Sequence, residues 1–156
     1  MSPARVVQSP DEPASILLVS PDSDDHQLLP KILNCGNWRW LRSQGCRQAF
    51  RLLRQNPVTV VIGECDQPDG RWQDLLERTQ GLAAPPSLIV CSEWADEHLW
   101  AEVLGLGAYD VLVKPFDREE VLRVAFLAWQ AWKRRAARSK SGSVTRWRSK
   151  ASSFTA

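Results

Sequence analysis

Glu64 is the residue whose position most invites chemistry. The run Val58 to Gly63 (VTVVIG) is apolar and rich in β-branched residues, which predicts a buried strand, and the QPDG at 67–70 imposes turn geometry. The strand must therefore end near Glu64, which puts a carboxylate at the C-terminal lip of a central strand. Open α/β sheets place their ligand sites there, and a carboxylate so placed is available for ion pairing or group transfer. The other reactive side chains are less suggestive. Cys35, Cys46, Cys65 and Cys91 show no CxxC spacing and are read as buried reduced thiols without chemistry. His26 and His98 are isolated, read as exposed, and belong to no ligand cluster, so no metal site is expected from them.

The elements that must position Glu64 follow from the pattern along the chain. At 156 residues and 44% hydrophobic content, the sequence has room for one α/β domain with tails and for a sizeable core. No apolar run approaches the roughly 18 residues of a membrane span. Prolines interrupt the N-terminal MSPARVVQSPDEPA where a secretory signal would be apolar, so a cytoplasmic protein is expected. Residues 1–14 read as a solvated arm and residues 15–136 as the domain. ILLV (Ile16 to Val19) is a strand covered on both faces. SPDSDD follows, then a helix through Leu28, Leu29, Ile32 and Leu33 that Ser23 or Asp24 can cap; Pro30 requires it to begin late or kink.

Asn37 to Ser43 alternates like a strand near a sheet edge, and Cys46 to Leu53 returns to helical spacing. After the Glu64 strand, Asp69 to Arg78 is read as helix, Ser87 to Ser92 (SLIVCS) as strand, and Ala95 to Leu106 as a helix with Leu99, Val103 and Leu106 inward, ended by Gly105 and Gly107. Asp110 to Val113 is the last strand, and Asp117 caps a final helix from Arg118 to about Arg135. Five strand–helix units in strict alternation predict a doubly wound five-stranded parallel sheet of flavodoxin-like order 2-1-3-4-5, with helices on both faces. Residues 137–156 are polar, serine-rich and basic, and read as a disordered tail.

These landmarks resemble a response-regulator receiver domain of two-component (phosphorelay) signalling, over roughly Ala14 to Arg135. The resemblance rests on apolar ILLV followed by acids, the VVIGECDQPDG loop, LIVCS, and above all GAYDVLVKPF, in which a lysine–proline pair closes the fifth strand. It implies an aspartate that accepts a phosphoryl group, an acidic pair that holds a divalent metal, a Ser/Thr and a lysine that contact phosphoryl oxygens, and an aromatic switch residue. Transferred by position, the acceptor is Glu64, the acidic pair is Ser20 and Pro21, the phosphoryl contacts are Ser92 and Lys114, and the aromatic position is Val111. Pro115 matches, and the resemblance implies a cis Lys114–Pro115 bond.

The departures have physical consequences. A divalent cation needs several oxygen ligands, usually with carboxylates among them, whereas Ser20 offers a hydroxyl and Pro21 only a carbonyl, so Mg²⁺ binding is not expected and no cofactor is assigned. Glu64 is one methylene longer than aspartate and displaces the reacting oxygen by about 1 Å, an offset that can cost on the order of 100-fold. Phosphorylation in the usual metal-dependent way is not expected. Two readings of Glu64 stay open. In one its carboxylate reaches Lys114 and Ser92 and stands in for a phosphoryl group; in the other it is simply a paired carboxylate at a strand end.

The expected role is that of a single-domain, degenerate receiver, a non-enzymatic pseudo-receiver that works by protein contact. Its partner would be a histidine kinase or another signalling protein. Val121, Ala125, Ala128 and Trp132 form one stripe of the last helix for the sheet. Leu122, Phe126 and Trp129 form a second which, with Trp100, is a candidate partner or homodimer surface. Eight Lys and Arg and no acid lie between Lys133 and the end, so Met1 to Trp132 carries a net −6; no residues here resemble a base-reading helix, and no specific nucleic acid is predicted. Two alternatives involve covalent chemistry. One is a conventional phosphorylated regulator using Glu64 or Asp66. The other is a phosphatase resembling the haloacid dehalogenase group, in which Asp22-Ser23-Asp24, Ser92 and Lys114 mimic the motif order without a cap domain. A flavodoxin is weaker still, because SPDSDD is acidic where a phosphate would sit.

Overall fold

The computed structural model describes residue 10, residues 12–34 and residues 36–154, with residues from 139 onward as backbone alone. The elements run β1 (Ala14–Val19), α1 (Ser23–Ile32), β2 (Trp38–Ser43), α2 (Cys46–Gln55), β3 (Val60–Glu64), β4 (Asp66–Gln67), β5 (Gly70–Arg71), α3 (Trp72–Gln80), β6 (Ser87–Ser92), α4 (Glu97–Leu106), β7 (Asp110–Val113) and α5 (Arg118–Phe154). The main sheet is parallel with order β2-β1-β3-β6-β7, the flavodoxin-like arrangement that the alternation predicts.

Successive residues of a strand point to opposite faces, and the central strands are apolar at every step because both faces are covered. Ile16, Leu18, Val60, Ile62, Ile89 and Leu112 meet Leu29 of α1 and Val121, Val124, Ala125 and Ala128 of α5. Leu17, Val19, Val61, Val90 and Val111 meet Ala49 of α2, Leu75 of α3 and Val103 of α4. Gly63 eases the packing of this second layer: a Cβ there would lie 2.8 Å from Leu75 Cδ1, and the Leu75 side chain would have to shift. Gly107 takes the left-handed conformation (φ 104) that ends α4.

Several boundaries differ from the pattern. Asp22, rather than Ser23 or Asp24, caps α1, its side chain accepting from the Asp24 amide at 2.9 Å. The helix starts at once and carries Pro30 two residues from its end, where only the last turn must adapt. QPDG forms a two-residue antiparallel ribbon, β4 with β5, and α3 begins at Trp72 instead of Asp69. Asp69 is spent on another helix: its carboxylate accepts from the amides of Cys46 (2.7 Å) and Arg47 (3.0 Å), because Gly45 at the start of α2 has no side chain to cap it. Leu106 points to solvent at 52% exposure, while Val103 alone of α4 is fully buried.

β1 begins at Ala14, so the strand reaches into the expected arm. Asn37 Nδ2 donates to the Pro10 carbonyl at 3.3 Å and Glu12 pairs with Lys133 at 3.2 Å; residues 1–9 lie outside the described residues. At the other end, α5 continues through Phe154 where composition predicts a disordered tail from residue 137. Once its packed half has nucleated the helix, each added residue needs only propagation, and no proline interrupts 118–154. Trp129 is buried at 4% exposure, so this member of the expected partner stripe is core, tilted at 43° to Phe126 with ring centroids 5.7 Å apart.

Candidate functional site

The C-terminal ends of β1, β3, β6 and β7 converge on the ammonium of Lys114. This lysine directly follows β7, and its amide donates to the Ser92 carbonyl at 2.9 Å, which fixes where the side chain starts. Nζ lies 2.6 Å from Asp25 Oδ2, 2.7 Å from Glu64 Oε2 and 4.0 Å from Asp22 Oδ2, with the lysine side chain 10% exposed. The Lys114–Pro115 peptide is cis.

Asp25 is the member that the sequence reading misses. As the first turn of α1 winds from its Asp22 cap, Asp25 turns inward, 5% exposed, on the same stripe as Leu29 and Ile32. Its Oδ2 also accepts from Ser20 Oγ at 2.7 Å, and Ser20 Oγ accepts from the Asp22 amide at 3.0 Å. Ser20, which occupies a position of the expected acidic pair, thus orients a carboxylate that arrives from five residues on. Pro21 lies beside it without contact to Lys114 among the described interactions. His26 is half-buried rather than exposed: its Nε2 lies 2.8 Å from the Ser20 carbonyl. His98 is exposed.

Glu64 is held differently. Its side chain is 19% exposed and its contact with Lys114 is an ion pair that misses hydrogen-bond direction, so Oε2 has no directed donor. Burial pushes its carboxyl above the usual glutamate range, with Lys114 acting in the opposite sense and the Asp25 and Glu93 charges adding to the rise. On Lys114 burial works against the charge, but the bonds to Asp25 and Glu64 outweigh it and raise the ammonium above the ordinary lysine value. Gln67 holds the strand end in place, its amide donating to the carbonyls of Glu64 (2.8 Å) and Val19 (3.0 Å).

The remaining predicted residues separate from this cluster. Ser92 is buried beside it, but its hydroxyl accepts from the Trp94 amide at 3.0 Å, and no hydrogen bond joins it to Glu64. The expected Glu64 to Ser92 contact is therefore not made. Trp94 itself stands 83% exposed, a feature that periodicity does not flag. Val111 is fully buried among Val90, Val103 and Ala108, an aliphatic plug where the resemblance implies an aromatic ring. Asp66 is exposed and pairs with Arg71 at 3.4 Å across the β4–β5 ribbon, away from Lys114. Asp22 is a helix cap and Asp24 is exposed, so the DxD order serves α1. Trp100 packs on the α2–α3–α4 side of the core, and Leu122 and Phe126 are half-buried on the α1–α5 side.

Cys46, Cys65 and Cys91 are free and buried, and burial raises all three thiols, Cys46 to about 11; Cys35 lies outside the described residues. The receiver resemblance also implies a divalent cation, and the donor set does not fit one. The carboxylates that would bind it, Asp25 and Glu64, already hold the lysine ammonium at 2.6 and 2.7 Å, and a dication on the same oxygens would crowd that charge. Among the described residues no group of three or more His, Cys, Asp or Glu is arranged to hold a metal ion.

No protein-family model matches the sequence, and no curated protein matches it. Solved structures do. The signal receiver domain of an HD domain-containing protein from Pseudomonas fluorescens Pf-5 superposes with a TM-score of 0.73 at 24% identity, covering 81% of this chain and 93% of that one. The fold is that of a response-regulator receiver domain. Other receivers agree: the chemotaxis response regulator CheY4 of Vibrio cholerae (TM-score 0.68, 17% identity, 75% and 99% covered) and the beryllofluoride-activated NtrC4 receiver domain dimer (0.70, 19%, 76% and 98%). In this receiver fold the strand ends carry an internal ion cluster, Asp25–Lys114–Glu64. No helix among the described residues is long and apolar enough to cross a membrane.

Proposed function

We propose that this chain is a receiver-type signalling module that acts by protein contact in the cytoplasm, without enzymatic activity and without metal-dependent phosphorylation. The observation that carries the reading is the ammonium of Lys114 bridged between Asp25 and Glu64 at 2.6 and 2.7 Å. That lysine is the group that would meet an incoming phosphoryl oxygen, and here two carboxylates already neutralise it. An anionic phosphodonor entering this pocket meets a cluster with more negative than positive charge and must displace a short ion pair. Glu64 fills the Lys114 side of the space but makes no hydrogen bond to Ser92, whose hydroxyl accepts from the Trp94 amide, so it is at most half a phosphoryl mimic.

The partner fits the class that receivers serve, a histidine kinase or another signalling protein. A second copy of the chain is the alternative, since the NtrC4 relative is a dimer. One feature favours phosphorylation at Glu64 instead: its side chain keeps 19% exposure at the strand end. Incubation with acetyl phosphate and Mg²⁺ followed by intact-mass measurement decides between them. The expected result is an unchanged mass; a phosphoryl adduct mapped to Glu64 or Asp66 would overturn the reading.

A further inference from the structure

The sequence from Lys133 onward is the most basic part of the molecule. Lys133, Arg134, Arg135, Arg138, Lys140, Arg146, Arg148 and Lys150 are its only charged residues, against a remainder that is net acidic. The structure gives this segment a shape. α5 is tied to the N-terminal edge of the sheet by Arg135, which donates to the Pro85 carbonyl (3.1 Å) and Ser87 Oγ (3.0 Å), the edge opposite the Lys114 cluster. Past that anchor the same helix runs on through Phe154, a further span of about 28 Å.

Within this extension Val144, Trp147, Ala151 and Phe154 recur at intervals of three and four residues, which places them on one face, within about 80° of the helix circumference. Arg148 and Lys150 flank that face on either side and Arg146 falls away from it, with serines filling most of the rest. Contact with a phosphate backbone would need only the cations. An aromatic pair on a single face of a cationic helix is what a bilayer interface rewards: the apolar side enters the headgroup boundary, indole sits at that depth, and Lys and Arg meet anionic lipid.

We propose that the helical extension 136–154 is a peripheral anchor for an anionic lipid surface, holding the receiver module at the bilayer with its Lys114 edge facing away. Charge complementarity selects the occupant, and the one-sided apolar spacing separates it from a nucleic acid.

The test is co-sedimentation of the full chain with vesicles of phosphatidylcholine and phosphatidylglycerol in a three-to-one ratio, against vesicles of phosphatidylcholine alone. The expected result is binding to the anionic vesicles only. Trp147→Ser with Phe154→Ser, and separately Arg146→Glu with Arg148→Glu and Lys150→Glu, are each expected to weaken it on the order of tenfold. Both sets lie past the Arg135 anchor in the sequence, and an unchanged thermal midpoint shows that the domain is intact. Failure to bind anionic vesicles overturns the proposal. So does binding that survives the loss of Trp147 and Phe154 and is competed by duplex DNA, which would make the segment a charge-only polyanion contact. Neither outcome bears on whether Glu64 is phosphorylated.

Discussion

Two carboxylates grip the same ammonium, and they do so from regions of different burial. Asp25 arrives from the first turn of α1, is 7% exposed at its side chain, and makes directed bonds to both Ser20 and Lys114. Glu64 arrives from the end of β3, is 19% exposed, and makes an ion contact without a directed donor. The difference separates structure from adjustability. Asp25 is a fixed member of the fold that neutralises Lys114 permanently, whereas Glu64 sits at the rim with a carboxyl held above its usual range and can change state at small cost.

Removing what both share should have the largest effect. Lys114→Met leaves two carboxylates facing each other in a largely buried pocket, and breaking a buried pair in this way costs about 3–5 kcal/mol. The loss, read from urea unfolding, should be greater at neutral pH than at mildly acidic pH, where the orphaned carboxylates can protonate. A loss below 1 kcal/mol would mean that the cluster is solvated and the contrast between its two acids is moot.

Cutting the Asp25 arm comes next. Asp25→Asn preserves shape while removing charge from two hydrogen bonds, which should cost about 2–3 kcal/mol, and Ser20→Ala should cost about 1 kcal/mol by releasing one of them. If Glu64→Gln proves more damaging than Asp25→Asn in the same unfolding assay, the assignment of anchor and adjustable partner is reversed.

The contrast also explains what the sequence shows and hides. ILLV, VTVVIG and SLIVCS are legible as buried strands because nothing polar interrupts them, and the cluster GAYDVLVKPF places Lys114 at a strand end. Asp25 is hidden among three aspartates at 22, 24 and 25, of which only helix phase selects one to face inward. The signal was present: Asp25, Leu29 and Ile32 recur at i, i+4 and i+7, but a carboxylate on an apolar stripe is easily taken for a cap. Trp129 is misassigned for the converse reason, since α5 is covered over more of its circumference than one stripe. The helical state of residues 137–154 is invisible to composition because it is inherited from the packed half of α5.

pH separates the partners without mutation of the fold. Lys114 is raised above its ordinary 10.5, so the stability it contributes is complete below that value and is lost as pH climbs through its folded pKa. Wild type should therefore weaken in strong alkali in a way that Lys114→Met does not. Glu64 is also raised, above 4.5, but for an acid this means that ionisation opposes folding: its favourable contribution is present below 4.5 and fades as pH rises through the folded value.

Glu64→Gln, which mimics the neutral form, should accordingly gain on wild type as pH rises through that window. A difference between the two proteins that stays flat with pH would remove the claim of adjustability. The same variant gives the smallest predicted signal. Because Ser92 Oγ is bound to the Trp94 amide and not to Glu64, neutralising Glu64 should leave the Trp94 backbone resonance where it is, while Lys114 remains pinned by Asp25. A shift of that amide in a ¹H–¹⁵N spectrum would show that the rim carboxylate does reach the exposed tryptophan loop. Glu64 would then be a signalling residue in its own right rather than the weaker of two counter-ions.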